Sequence, residues 1–136
     1  MKVSSKGEYA LRALIALGKR GQEVMPVADI AQETHVPVHY LEQILLQLNR
    51  CGYLQSKRGA GGGYRLRLNP EEIFIGDVIR QLEGPLAPMN CVSTTRYEWC
   101  ELEPECLLRP LWAKVRDTVA EVLDRTTLAD LLEKRI

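Results

Sequence analysis

Between Val38 and Arg50 the apolar positions Leu41, Ile44, Leu45 and Leu48 recur at the i, i+3, i+4, i+7 spacing of one buried helical face. His39, Gln43 and Arg50 fall on the opposite face, with Glu42 and Asn49 on one flank. Gly52 is a natural C-terminal stop, with Arg50 in the last turn before it. The period then changes. Tyr53-Leu54-Gln55 reads as a short strand, Arg58 to Gly63 as a tight glycine-rich turn, and Tyr64 to Leu68 as the returning strand. In that last piece Arg65 and Arg67 alternate with Tyr64, Leu66 and Leu68, the period of a half-buried hairpin strand. A helix with a polar outer face followed by a basic-tipped hairpin predicts a winged helix-turn-helix, an architecture suited to duplex DNA.

The flanking pattern completes that unit. Ser5-Lys6-Gly7-Glu8 fits the S-x-x-E capping box and opens a helix carrying Tyr9, Leu11, Leu14, Ile15 and Leu17 that stops near Gly18 or Gly21. Pro26 precedes a short helix from Val27 to Glu33, and Thr34-His35-Val36-Pro37 turns the chain into the helix already described. Asn69 to Glu72 starts a new turn, and Ile75 to Glu83 reads as a further helix closed by Gly84. From Pro85 to Pro110 the periodicity disappears, and a loop of that length in a small protein is usually functional or disordered.

Beyond the loop, Leu108, Leu111, Trp112, Val115, Val119, Val122 and Leu123 form a long apolar stripe on a helix starting near Pro110, a favoured first-turn residue. Thr127-Leu128-Ala129-Asp130 caps a last short helix. The stripe is longer than one small core needs, which predicts a homodimer interface in preference to intramolecular packing. A two-fold dimer would present two recognition helices to a pseudo-palindromic operator in double-stranded DNA. The expected fold is therefore mostly α with a small β-hairpin wing: a winged helix-turn-helix plus a long C-terminal dimerisation helix. The expected division is residues 1–84 for DNA binding, 85–109 for a cysteine-bearing loop, and 110–136 for dimerisation and the C-terminal helix.

Composition changes this picture in two places. The formal net charge is zero over 136 residues. Residues 1–70, however, hold ten Lys/Arg against five Asp/Glu, and residues 71–136 hold eight against thirteen, so the halves carry +5 and −5. A basic half beside an acidic half suits a protein that lays one face on phosphates. No apolar run approaches a membrane span and Met1-Lys2-Val3-Ser4 opens no signal peptide, so a cytoplasmic, membrane-free location is expected. No Ser-His-Asp set or paired carboxylate site stands out, and an enzyme is not expected. GAGGGY lacks the Lys-Ser/Thr of a phosphate loop and leads into a strand, which argues against nucleotide binding.

The cysteines are the second place. Cys91-x8-Cys100-x5-Cys106 is not the C-x2-C spacing of a zinc ribbon. Thiolates select soft metals and iron–sulfur clusters, and an irregular loop lets several converge. The residues by themselves leave an iron–sulfur cluster, zinc and metal-free thiol redox sensing open. Cys51, at the end of the recognition helix and away from the loop, reads as a buried structural thiol.

SSKGEYALRALIAL, HYLEQILLQLNRCGYLQSKRGAGGGYRL and IGDVIRQLEG, followed by a three-cysteine loop and a long helix, resemble the Rrf family of bacterial winged-helix regulators. The likeness is to the type that includes the iron–sulfur cluster regulator and the nitric-oxide-sensing repressor, and it covers nearly the whole chain. It implies a homodimeric transcription factor, often a repressor, whose DNA affinity is set by an iron–sulfur cluster in the cysteine loop. The alternative is a metal-free thiol- or small-ligand-responsive regulator of the same fold.

Carried over position by position, the resemblance puts major-groove contacts on His39, Tyr40, Glu42 and Gln43 and the minor-groove arginine of the wing at Arg58, with Lys57, Gly61 and Gly62 beside it. Glu42 can accept from a cytosine amino group and Gln43 can pair with adenine. A guanidinium suits the negative potential of a narrow minor groove. Leu46 fits neither face of the helix, and reads as a dimer contact or a contact to a thymine methyl.

Two departures from the family pattern concern the cluster. The first cysteine spacing, eight residues, is longer than the family's usual one, and the position three after the last cysteine holds Arg109 where a histidine ligand is found in the iron–sulfur cluster regulator. Cys91, Cys100 and Cys106 would therefore need a fourth ligand of another kind. Glu8, donated by the partner subunit, matches a position that some relatives use, and Glu101, Glu103 and Glu105 are its rivals. Both 2Fe-2S and 4Fe-4S clusters are compatible with such a set.

Overall fold

A computed structural model describes residues 2–136. The chain runs α1 (Ser5–Gly18), α2 (Val27–Thr34), α3 (Val38–Arg50), β1 (Leu54–Lys57), β2 (Gly63–Leu66), α4 (Ile75–Glu83), α5 (Arg109–Arg125) and α6 (Leu128–Leu132). Short 3-10 turns lie at Pro70–Glu72, Asn90–Val92 and Glu103–Glu105. This is a winged helix, mostly α with one two-stranded antiparallel sheet. The strands pair Leu54 with Leu66 and Lys57 with Gly63, so β1 runs on two residues past Gln55 and β2 begins one residue before Tyr64, both nearer the tip than sequence periodicity predicts.

The core is built where the helical period placed it. Leu14 and Leu17 of α1, Ile30 of α2, Leu41, Leu45 and Leu48 of α3 and Leu54 of β1 are fully or almost fully buried together. Each contributes roughly 1.5–3 kcal/mol by burial. The end of α3 is a Schellman cap: Tyr53 donates to the Leu48 carbonyl at 3.1 Å, Gly52 donates to Asn49 at 3.0 Å, and Gly52 takes a φ of 87°. That is why the chain reverses at once into the wing. Leu128 of α6 returns to the same core, and its amide bonds the Ile73 carbonyl at 2.8 Å. Thr127 and Asp130 form the capping box expected there.

One expected cap is different. The N-cap of α1 is Ser4, not Ser5, and Glu8 does not reach back to it. The carboxylate comes instead from Glu83 at the end of α4, which accepts from the Ser4 amide at 2.8 Å, the Ser4 hydroxyl at 2.6 Å and the Gly7 amide at 3.0 Å. Seventy-six to seventy-nine residues separate the partners, so no local motif could reveal the pairing. Glu8 is left to form an exposed ion pair with Arg12 one turn on, at 3.2 Å.

Helix α5 has no fully buried residue. Its inner side lays Leu123 against Ile75, Ile79 and Leu86, while Leu111 and Val122 on the outer stripe are 50% and 60% exposed. No helix among the described residues is long and apolar enough to cross a membrane.

Candidate nucleic-acid interface

The buried stripe of α3 forces its other side outward. His39, Tyr40, Glu42, Gln43, Leu46 and Arg50 are all exposed, in one continuous face from the first turn to the last. The helix is presented by a tight entry in which His35 closes α2 in the left-handed conformation, at φ 58°, and Pro37 leads into α3. Tyr40 does not hang free. Its ring meets that of Tyr9 edge-on, with centroids 5.7 Å apart and planes at 85°, so α1 sets the direction of its hydroxyl. Periodicity marked Tyr9 as a core residue but carried no signal of this second role.

The wing is anchored from a side the sequence did not indicate. Met25, in the linker before α2, exchanges two backbone hydrogen bonds with Tyr64, at 2.8 and 2.9 Å. The linker thus forms a single antiparallel bridge to β2, outside the two-stranded sheet. Gly63 is required there, because a Cβ would collide with the Met25 carbonyl. A Cβ at Gly62 would strike the Lys57 and Gly59 carbonyls, so that glycine answers first to the turn's own packing. Gly61, at φ 72°, meets nothing nearby and is glycine for its backbone conformation alone.

Basic residues of the hairpin divide into two groups. Arg65 hydrogen-bonds across the strands to Gln55 at 3.1 Å, and Arg67 bonds the Gly52 carbonyl at 3.3 Å; both stiffen the base of the wing. Lys57 and Arg58 at the tip are exposed. Their charges have no ion-pair partner among the described residues.

The three loop cysteines are free thiols. Cys91 and Cys106 are half-buried, and Cys100 is exposed. Two arginines of α5 tie down the backbone at and just after the first of them: Arg109 donates to the Cys91 carbonyl at 3.2 Å and Arg116 to the Val92 carbonyl at 2.7 Å. Arg109 also lies 3.1 Å from Glu103, whose other oxygen accepts a short hydrogen bond from Tyr97. That bond is the main cause holding the Tyr97 phenol above its ordinary pKa. Arg109 therefore occupies the histidine position of the family pattern as a loop clamp, and Glu103 is already engaged.

No group of three His, Cys, Asp or Glu side chains converges on a metal-holding set among the described residues. In chemistry, though not in convergence, the donors suit a soft-metal cluster: three cysteines outside any disulfide on irregular backbone. Cys51 packs against the main core but is only half-buried, less than the buried thiol expected.

Residues 3–134 match the family model described as "Rrf2: Iron-dependent Transcriptional regulator". Among solved structures, that of CymR from Bacillus subtilis, described as the global cysteine regulator, is 41% identical with a TM-score of 0.83, and the match covers 98% of each chain. The transcriptional regulator NsrR of Geobacillus kaustophilus is 39% identical over 136 residues, 99% of this chain and 92% of its own. IscR of Aliivibrio salmonicida is 35% identical over 133 residues, 97% of this chain and 77% of its own.

Proposed function

The chain belongs to the Rrf2 family of DNA-binding transcriptional regulators, and from that premise we propose that it acts as a homodimeric repressor whose operator affinity is governed by an iron–sulfur cluster in the loop of residues 85–109. Its relatives are regulators, and it is not an enzyme. The observation that carries the interface is the single exposed face of α3 beside a wing tip with unpaired Lys57 and Arg58. His39, Tyr40, Glu42 and Gln43 read base edges in the major groove, and Arg58 enters the minor groove. The exposed stripe of α5 joins two copies, spacing the recognition helices for two half-sites.

Cys91, Cys100 and Cys106 would hold the cluster, with Glu8 of the partner subunit as fourth ligand. Such a cluster supplies a redox- and ligand-sensitive group. Glu8 suits the role because the cap of α1 belongs to Ser4 and Glu83 and leaves its carboxylate on the surface. Glu103 is a weaker rival, being held by Tyr97 and Arg109. A carboxylate is a harder and weaker ligand for iron than thiolate, as a sensor's exchangeable position requires.

A metal-free thiol sensor is the second reading. It is favoured by the absence of a converged donor set among the described residues and by the likeness to a regulator named for cysteine. Anaerobic purification followed by visible absorption and iron and sulfide counts decides between them. Iron with matching sulfide, lost in Cys100→Ala, supports the cluster. Protein without iron or sulfide under those conditions, yet with thiol-dependent DNA binding, overturns it in favour of the second reading.

A further inference from the structure

Leu46 is an aliphatic residue in the middle of the exposed face of α3, where its chemistry suits neither water nor a polar base edge; Val38, the other exposed aliphatic of the helix, is its first residue. It is 43% exposed and stands between Gln43 and Arg50. Its surroundings are more specific than exposure alone. Leu46 lines one wall of a groove of about 430 Å³, and the wing forms the opposite wall. On the helical side Leu46 is joined by Asn49 and Val27; on the wing side stand Ser56, Lys57 and Arg58.

This wall chemistry has a plain complement. Lys57 and Arg58 supply charge, Asn49, Ser56 and Tyr64 supply polar side chains, Leu46 and Val27 supply aliphatic surface, and no carboxylate lines the groove. A sugar–phosphate strand alternates in the same way, with anionic phosphates separated by apolar deoxyribose faces. Position agrees. A duplex with α3 in one groove and the wing in the next has a single backbone strand separating them, and that strand must cross the gap between α3 and the wing. Leu46 lies in the C-terminal half of α3, whereas base edges are reached by the N-terminal part of a recognition helix. It also lies on a different element from the apolar stripe of α5.

We propose that the groove between α3 and the wing seats one sugar–phosphate strand of the operator, with Leu46 packed on a deoxyribose and Asn49 and Ser56 holding the flanking phosphates. Leu46 then fixes the register between the two grooves without reading a base. The inference rests on the assignment of α3 and the wing to adjacent grooves. It adds Leu46, Asn49 and Ser56 to the interface as positioning residues.

The test uses a duplex selected by the full-length protein from a randomised library, in two forms: natural, and with every thymine replaced by uracil. Leu46→Ala should weaken binding roughly three- to tenfold on both forms alike, the effect of losing about one or two buried methylene groups. Leu46→Lys should recover affinity and steepen the dependence of log K on log salt by about one phosphate contact. Asn49→Ala should weaken binding to both forms together. If the Leu46→Ala loss vanishes on the uracil duplex, the side chain reads thymine methyls and the proposal is wrong. A shift of the monomer–dimer equilibrium by Leu46→Ala, or unchanged affinity for both duplexes, overturns it equally. Failure to select any duplex would instead sink the assignment of α3 and the wing to DNA. Leu46 is exposed, so these variants should keep the wild-type circular dichroism and melting temperature, and that is checked first.

Discussion

The Arg80 guanidinium grips the Asp124 carboxylate through two hydrogen bonds, of 2.6 and 2.8 Å. Arg80 belongs to α4, beside the DNA-binding core, and Asp124 to the last turn of α5. The Asp124 side chain also covers Gly76, where a Cβ would strike it. This fork and the small apolar cluster of Ile75, Ile79, Leu86 and Leu123 fasten the helix with the exposed stripe to the unit with the recognition helix.

Asp124→Asn should therefore loosen α5 from α4. A charge-assisted, two-pronged bond would be worth up to about 3 kcal/mol if buried, but both side chains are partly exposed, and about 1 kcal/mol is expected. The Arg80 hydrogen bond is the first cause holding the Asp124 carboxyl below its ordinary range. The stabilisation is thus complete above the unfolded value of about 4 and lost as pH falls through the lower folded value. Urea unfolding of both proteins at pH 7 and at successively lower pH should show their midpoints converging in acid. A gap of constant size would show that the ion pair does not carry the difference.

Glu83→Gln removes a carboxylate that accepts three hydrogen bonds at the start of α1. The cost should be about 1–2 kcal/mol, comparable to losing a good N-cap. Amide exchange should accelerate in the first turn of α1, far along the chain from the substitution. Unchanged exchange at residues 5–8 would refute the long-range cap.

Tyr53 is buried under the start of the wing, accepts from Gln81 at 2.9 Å, and has its pKa pushed up to about 12, first by burial and then by Asp77 and Cys51. Its neutral form is favoured in the fold, so this stabilisation is whole below the unfolded value of about 10 and disappears as pH rises through 12. Ultraviolet titration of tyrosinate should show a phenol ionising near 12 that is missing in Tyr53→Phe, while the Tyr97 phenol, also raised, stays in both proteins. Wild-type titration with every tyrosine ionising near 10 before unfolding would contradict it.

Gly63→Ala should break the Met25–Tyr64 bridge, because the added methyl meets the Met25 carbonyl and the glycine holds φ 155°. A loss of about 2–4 kcal/mol is expected, in the range of overpacking plus backbone strain. DNA affinity should fall further than with Arg58→Ala, which is expected to cost about 1–3 kcal/mol if the guanidinium contacts a base. Denaturation midpoints and fluorescence anisotropy on the same duplex measure both.

Charges placed on the α5 stripe, as in Leu111→Glu with Val122→Glu, should yield a folded monomer that has lost most operator affinity. The exposed stripe contributes little to the monomer's own core, so its melting should change modestly. Sedimentation velocity measures the outcome: a doubly substituted protein that remains a dimer would remove α5 from the interface.

The periodicity of apolar residues determined most of the architecture by itself. Leu41, Ile44, Leu45 and Leu48 must share one helical face, and burying that face leaves His39, Glu42 and Gln43 outside, whatever the rest of the chain does. Gly52 after Arg50 and the capping pair Thr127–Asp130 acted within a few residues, so their hydrogen bonds were legible where they stand. What lay beyond local reach was decided by packing. Nothing near Ser4 indicates that its cap carboxylate would come from Glu83. Met25 shows no sign that it would pair with Tyr64 and bridge the linker to the wing. Arg109 was visible in the sequence only as a missing histidine, and folding turned it into the clamp that joins the Cys91 carbonyl to Glu103. The groove beside Leu46 exists only once the helix and the wing stand opposite each other. Spacing along a chain encodes which side of an element is wet, whereas partners dozens of residues apart are selected by three-dimensional fit.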